Sequence, residues 1–147
     1  MSEVLIVDEW FWSDLNGENG EQKQKEAFYF LETLYKKCDR IAVAKGSKFQ
    51  QKERKFSKDA HTDSIKRGIA RLYFSKIRYD PKKYEEVDIE EQKDGDLEGI
   101  NRHDLYLVRT YYKTKALIIT KDDKLQEQLG SKGIPYQLRD AFLQGYL

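Results

Sequence analysis

The 147-residue chain carries one cysteine, one methionine and two prolines. A lone thiol, Cys38, excludes an internal disulfide and fits a reducing, cytoplasmic compartment. No apolar run approaches the ~20 residues of a membrane span, so no membrane partner is expected. The first residues lack a basic stretch followed by a sustained apolar one, so no secretory leader is expected there. No glycine-rich turn follows the first apolar run, which argues against a dinucleotide-binding or P-loop protein. Lys45-Gly46 follows the run Ile41 to Ala44, where a phosphoacceptor receiver domain needs an aspartate. His61 and His103 stand too far from other metal-binding residues for a zinc site or a catalytic triad. Cys38 has no evident base partner. These three read as structural or surface residues.

What is present is charge and aromatic surface. Charged residues make up 36% of the chain and aromatics 13%; the aromatic content argues for a packed core despite only 39% hydrophobic residues. The length suits one domain, residues 1–147, and no stretch reads as a linker or repeat. The formal net charge is only +1, but the charges are segregated. Between Lys45 and Arg78 lie eleven bases and three acids, a local excess of +8. Between Asp80 and Asp104 lie ten acids and four bases, a local excess of −6. A basic middle beside acids suits a polyanion that must reach a bound metal, and equally suits a solvated helical face.

The stretch Lys115 to Leu125 organises the rest. Ala116 to Ile119 is short, apolar and β-branched, as in a strand of a parallel sheet covered on both faces. Asp122 and Asp123 follow, then a helical pattern from Lys124 to Leu129 that stops at Gly130. The chain start repeats the plan: Val4 to Val7 is a second buried strand, followed directly by Asp8-Glu9. In open α/β sheets, ligands bind past the carboxyl ends of strands. Carboxylates gathered there repel one another unless a cation neutralises them. Oxygen-only ligands favour Mg²⁺ or Mn²⁺ over zinc.

Between these strands the chain alternates strand and helix. The aromatics of Trp10-Phe11-Trp12 either cover the sheet or line the rim of the site, and core packing is the preferred reading. Gln24 to Lys37 has helical spacing, with Ala27, Phe28, Phe30, Leu31, Leu34 and Tyr35 inward. Arg40 to Ala44 is a buried strand, and Ser47 caps a helix through Glu53 and Phe56. Asp63 to Ile77 reads as one helix, and Glu85 to Glu90 as a half-buried or edge strand. A polar loop follows from Lys93 to Gly99. A helix from Asn101 to Tyr112 carries Asp104 in its first turn, where the helix dipole by itself favours a carboxylate. Ile134 to Leu138 is an edge strand because of Pro135, and Arg139 to Tyr146 a closing helix. The sum is a three-layer α/β/α domain with a mostly parallel sheet of about five strands.

These motifs, taken in order, resemble the PIN domain, the nuclease fold of many archaeal and bacterial VapC-like toxin ribonucleases. The resemblance rests on the strand ending in Asp8, the Ser47 to Glu53 helix start, and His103 to Val108. Its most specific part is Thr120-x-Asp122-x-x-Leu125, at a set distance after Asp104. It spans nearly the whole chain. Asp8-Glu9-Trp10 departs from the family's Asp-Thr/Ser-Asn and removes a hydroxyl and an amide. The resemblance implies metal-dependent hydrolysis of RNA, with Asp8, Glu53, Asp104 and Asp122 holding one or two Mg²⁺ or Mn²⁺ ions. Asp123 and Thr120 would support them. Glu32 is the alternative to Glu53 as the middle acid. Lys45, Lys48, Lys52, Arg54 and Lys55 would hold the RNA backbone. The resemblance further implies a homodimer and an antitoxin protein as partners. A PIN-like module that binds RNA or protein without turnover stays beside the nuclease reading. Abundant Lys, Glu and Arg with little Cys or Met is compatible with a thermophilic source.

Overall fold

A computed structural model describes residues 2–90 and 95–147. The polar loop expected from Lys93 to Gly99 begins outside them. Five strands form one sheet in the order β3-β2-β1-β4-β5: β1 is Val4–Val7, β2 Arg40–Ala44, β3 Tyr84–Val87, β4 Leu117–Thr120 and β5 Tyr136–Leu138. Every pairing is parallel. In the centre, Leu5, Ile6 and Val7 face Leu117, Ile118 and Ile119 in register. The expected sheet is therefore present, and wholly parallel. Both anticipated edge strands, β3 and β5, stand at the edges.

Successive side chains of a strand point to opposite faces, and here each face has its own core. Leu5, Val7, Ile41, Val43 and Ile119 pack with α1 (Trp10–Leu15), α2 (Glu21–Lys36), α3 (Lys48–Asp59), α4 (Ser64–Leu72) and α7 (Arg139–Tyr146). Ile6, Ala42 and Ile118 pack with α5 (Leu105–Thr114) and α6 (Asp123–Ser131). That gives the three layers. The central strands carry continuous apolar runs because helices cover both sides.

Two helices differ from expectation. The segment after Asp8 forms α1, six residues long; at that length no period can show. Its aromatics lie in the core, as anticipated, with Trp12 wholly buried. The helix expected from Asp63 to Ile77 is regular only as far as Leu72, then widens into a π turn over Tyr73–Ile77. Asp63 caps it, accepting from the Ile65 and Lys66 amides. The Tyr73 hydroxyl and the Arg78 guanidinium both reach Glu53 from this turn.

The chain order sets the position of the site. From β1 the chain steps outward through β2 to β3, then crosses to β4 on the other side of β1. The direction of winding therefore reverses between β1 and β4. The crevice beyond the carboxyl ends of that pair is where an open α/β sheet binds ligands.

Candidate active site

Asp8 follows β1 directly. Its amide donates to the Ile119 carbonyl at 3.2 Å, extending the β1–β4 ladder by one bond. Its carboxylate is fixed on both oxygens: Thr120 Oγ1 donates to Oδ2 at 2.8 Å and the Glu9 amide donates to Oδ1 at 2.5 Å. Each carboxylate oxygen still has a second lone pair. Thr120 also accepts from the Asp122 amide at 3.1 Å, so one wholly buried hydroxyl ties the ends of both strands together. Trp10 turns its indole N–H onto the Ile119 carbonyl at 3.0 Å.

Asp122 is exposed and caps α6, its Oδ1 accepting from the amides of Lys124 at 2.9 Å and Leu125 at 3.4 Å. Asp104 occupies the N-cap position of α5, after a short 3₁₀ turn over Arg102–Asp104, and makes no side-chain capping bond there. Asn101 caps that turn, accepting from the His103 amide at 2.9 Å.

Electrostatics join these acids. Burial raises Asp8 above the usual carboxylate range, and the charges of Glu9 and Asp122 push the same way. Asp104 is raised to about 6, first by burial and then by the charges of Asp8, Asp122 and Glu9, with Lys48 opposing. A carboxylate serving only to start a helix is lowered by the dipole. Asp104 moves the other way, first because it is half-buried and then because other acids crowd it. The side chains as placed do not close on a point: among the described residues, no three Asp, Glu, His or Cys side chains are grouped as a metal would need.

Two members of this neighbourhood fall outside the expected ligand set, although Glu9 reads as a strand-end acid. Glu9 adds its charge to Asp8, Asp104 and Tyr106, and pairs with Lys52 at 3.6 Å. Its adjacency to Asp8 was the available signal. The Tyr106 hydroxyl is buried without a hydrogen-bond partner among the described residues and feels the charges of Asp8, Glu9 and Asp104. A tyrosine two residues into a helix carries no such signal in one dimension.

Glu53, expected among the ligands, is elsewhere employed. Its carboxylate accepts from the Tyr73 hydroxyl at 2.5 Å and from Arg78 Nε at 2.9 Å, and the residue is 3% exposed. It is the buried anchor of the π turn, and its charge is not among those that move Asp8 or Asp104. Glu32 is half-buried on α2 and is equally absent from that group. Asp123 opens α6 and accepts from Gln126 Nε2 at 3.2 Å, turned to solvent.

The expected bases divide along α3. Lys48 contacts His103 Nδ1 and Lys52 pairs with Glu9, so both lean on the acidic edge. Lys45 and Arg54 line a separate cleft. Lys55 is exposed one helical turn beyond Lys52. Among the described residues, no helix is long and apolar enough to cross a membrane.

Fold and site together define an open parallel α/β domain with an acidic edge at its switch point. No family model matches the chain, and no curated protein matches it. Among solved structures it is similar to the crystal structure of VapBC2 from Rickettsia felis bound to a DNA fragment from their promoter. The two share 10% identity over 92% of this chain and 98% of that one, with a TM-score of 0.48.

Proposed function

We propose that the chain is a divalent-metal-dependent endoribonuclease of PIN type, with Asp8, Asp104 and Asp122 as the metal-holding acids. The observation that carries this is the gathering of acids at the switch point: Asp104 is raised to about 6, first by burial and then by the charges of Asp8, Asp122 and Glu9, which Lys48 only partly offsets. A cation relieves such crowding, and an all-oxygen donor set suits Mg²⁺ or Mn²⁺. Asp104 has no capping bond for a metal to displace. The unpartnered Tyr106 hydroxyl leaves one buried donor free for a ligand in the same neighbourhood.

When bound, the metal supplies an acidified water and charge stabilisation for phosphodiester hydrolysis. The protein's own share is positioning. Thr120 and the Glu9 amide hold the Asp8 carboxylate in one orientation. The Asp122 backbone is pinned to Thr120. Lys48 and Lys52 offset part of the negative field that an approaching RNA backbone meets. Partners under this reading are RNA, a second copy of the chain and an antitoxin protein, in the cytoplasm.

A second reading has its own support. Glu53 is closed off by Tyr73 and Arg78, and the acids as placed do not converge. Both observations favour a PIN-like module that binds RNA or protein without turnover. Cleavage of a generic single-stranded RNA with and without Mn²⁺ decides between them. Metal-dependent cleavage lost in Asp122→Asn supports the nuclease; tight binding with no cleavage at any metal concentration supports the module.

A further inference from the structure

A second feature lies beyond the carboxyl ends of β2 and β3, across α3 from the acids. It is a cleft of about 770 Å³, within the size range of small-molecule sites. Lys45 enters it just after β2, and Arg54 and Lys58, one turn apart on α3, line one wall. None of these three makes an ion pair among the described residues. The floor is fixed and keeps one net negative charge, one guanidinium against two carboxylates: Arg78 binds Glu53 at 2.9 Å and Glu86 at 3.7 Å, and lies 4.3 Å from the Tyr84 ring centroid. The same guanidinium backs the ring of Tyr79 at 5.0 Å, yet Tyr79 is 75% exposed.

We propose that this cleft is a nucleotide subsite for single-stranded RNA, with Lys45, Arg54 and Lys58 on phosphates and a base stacked on Tyr79. Three unpaired cations beside a rigidly floored cleft supply phosphate contacts without a competing internal partner. A large exposed aromatic, braced on one side, is a stacking platform that accepts any base. A free anion or an acidic peptide would use the cations but would gain nothing from the tyrosine. The subsite extends the RNA reading above to a second part of the same sheet edge. It depends on that reading only for the ligand's identity, not on catalysis.

The test is fluorescence anisotropy of a labelled mixed-sequence 12-nucleotide RNA in EDTA, across a series of salt concentrations. With no metal present, failure of the nuclease reading leaves this result untouched. Tyr79→Ala should weaken binding about ten-fold or more with an unchanged salt slope. The Lys45→Ala/Arg54→Ala/Lys58→Ala variant should lower the salt slope by about 2, at roughly 0.7 per phosphate contact. A control triple on α4, Lys66→Ala/Arg67→Ala/Arg71→Ala, removes equal charge outside the cleft and should change the slope far less. All substituted positions but Lys66 are exposed, and circular dichroism verifies each fold. Equal slopes for the two triples, wild-type affinity for Tyr79→Ala, or no RNA binding by the wild type would each overturn the assignment.

Discussion

Asp8 and Asp14 stand at the two ends of one short helix, α1, and both are buried. Asp14 has a base: Arg139 Nε donates to its Oδ2 at 2.7 Å, and Arg139 also reaches Glu26 and Asp140. Glu53, on α3, has Arg78. Asp8 has a hydroxyl and an amide, and the charges that act on it are those of Glu9 and Asp122. The same side-chain type therefore plays two parts. Where burial is matched by a guanidinium, the acid holds elements together. Where acids raise one another at the carboxyl edge of the sheet, burial is left unmatched, and the proposed metal would match it.

Substitutions break this comparison to different degrees. Arg139→Met should be the most damaging, because it leaves Asp14 buried and unpaired; a loss of about 3–5 kcal/mol is expected from urea unfolding followed by tryptophan fluorescence. Asp14→Leu added to it should restore much of that loss. Glu53→Gln should cost about 2 kcal/mol through its charged hydrogen bonds. It should leave Mn²⁺ affinity by calorimetry unchanged; a large loss of affinity would return Glu53 to the ligand set.

Asp104→Asn should do the reverse of both and stabilise the protein. The Asp104 carboxyl titrates near 6 in the fold against an ordinary value of 3.8. Between those values the folded chain holds more protons than the unfolded one, so ionisation costs stability as pH rises through the window, fully above about 6. For this half-exposed group, solvent screening cuts the expected gain to about 1 kcal/mol at pH 7.5. Unfolding curves at pH 7.5 and 3.5 measure it, and the gain should vanish at the lower pH. Asp122→Asn should alter stability least, within about 0.5 kcal/mol, since asparagine caps a helix as well as aspartate does. Its effect should fall on metal instead, with Mn²⁺ affinity lowered about ten-fold or more.

The fold was legible where a strand is covered on both faces. Val4 to Val7, Arg40 to Ala44 and Ala116 to Ile119 announce themselves as apolar runs, and Pro135 marks an edge. The acids at strand ends were legible for the same reason, because a parallel sheet sends its carboxyl ends to one side. Long-range pairing was not. Arg139 and Asp14 are 125 residues apart, and Glu53 meets its partners 20 and 25 residues on. A sequence shows that Glu53 follows the second strand amid bases. It does not show that a π turn will deliver a tyrosine and an arginine onto both of its oxygens. That no ion pair reaches Asp8 among the described residues is likewise visible only in three dimensions.

The most direct measurement is Mn²⁺ binding by isothermal calorimetry, wild type against Asp8→Asn/Asp122→Asn, beside cleavage of a generic single-stranded RNA. The account predicts binding and metal-dependent cleavage by the wild type, and loss of both in the double variant, which remains folded. Equal Mn²⁺ affinity in the two proteins would contradict it.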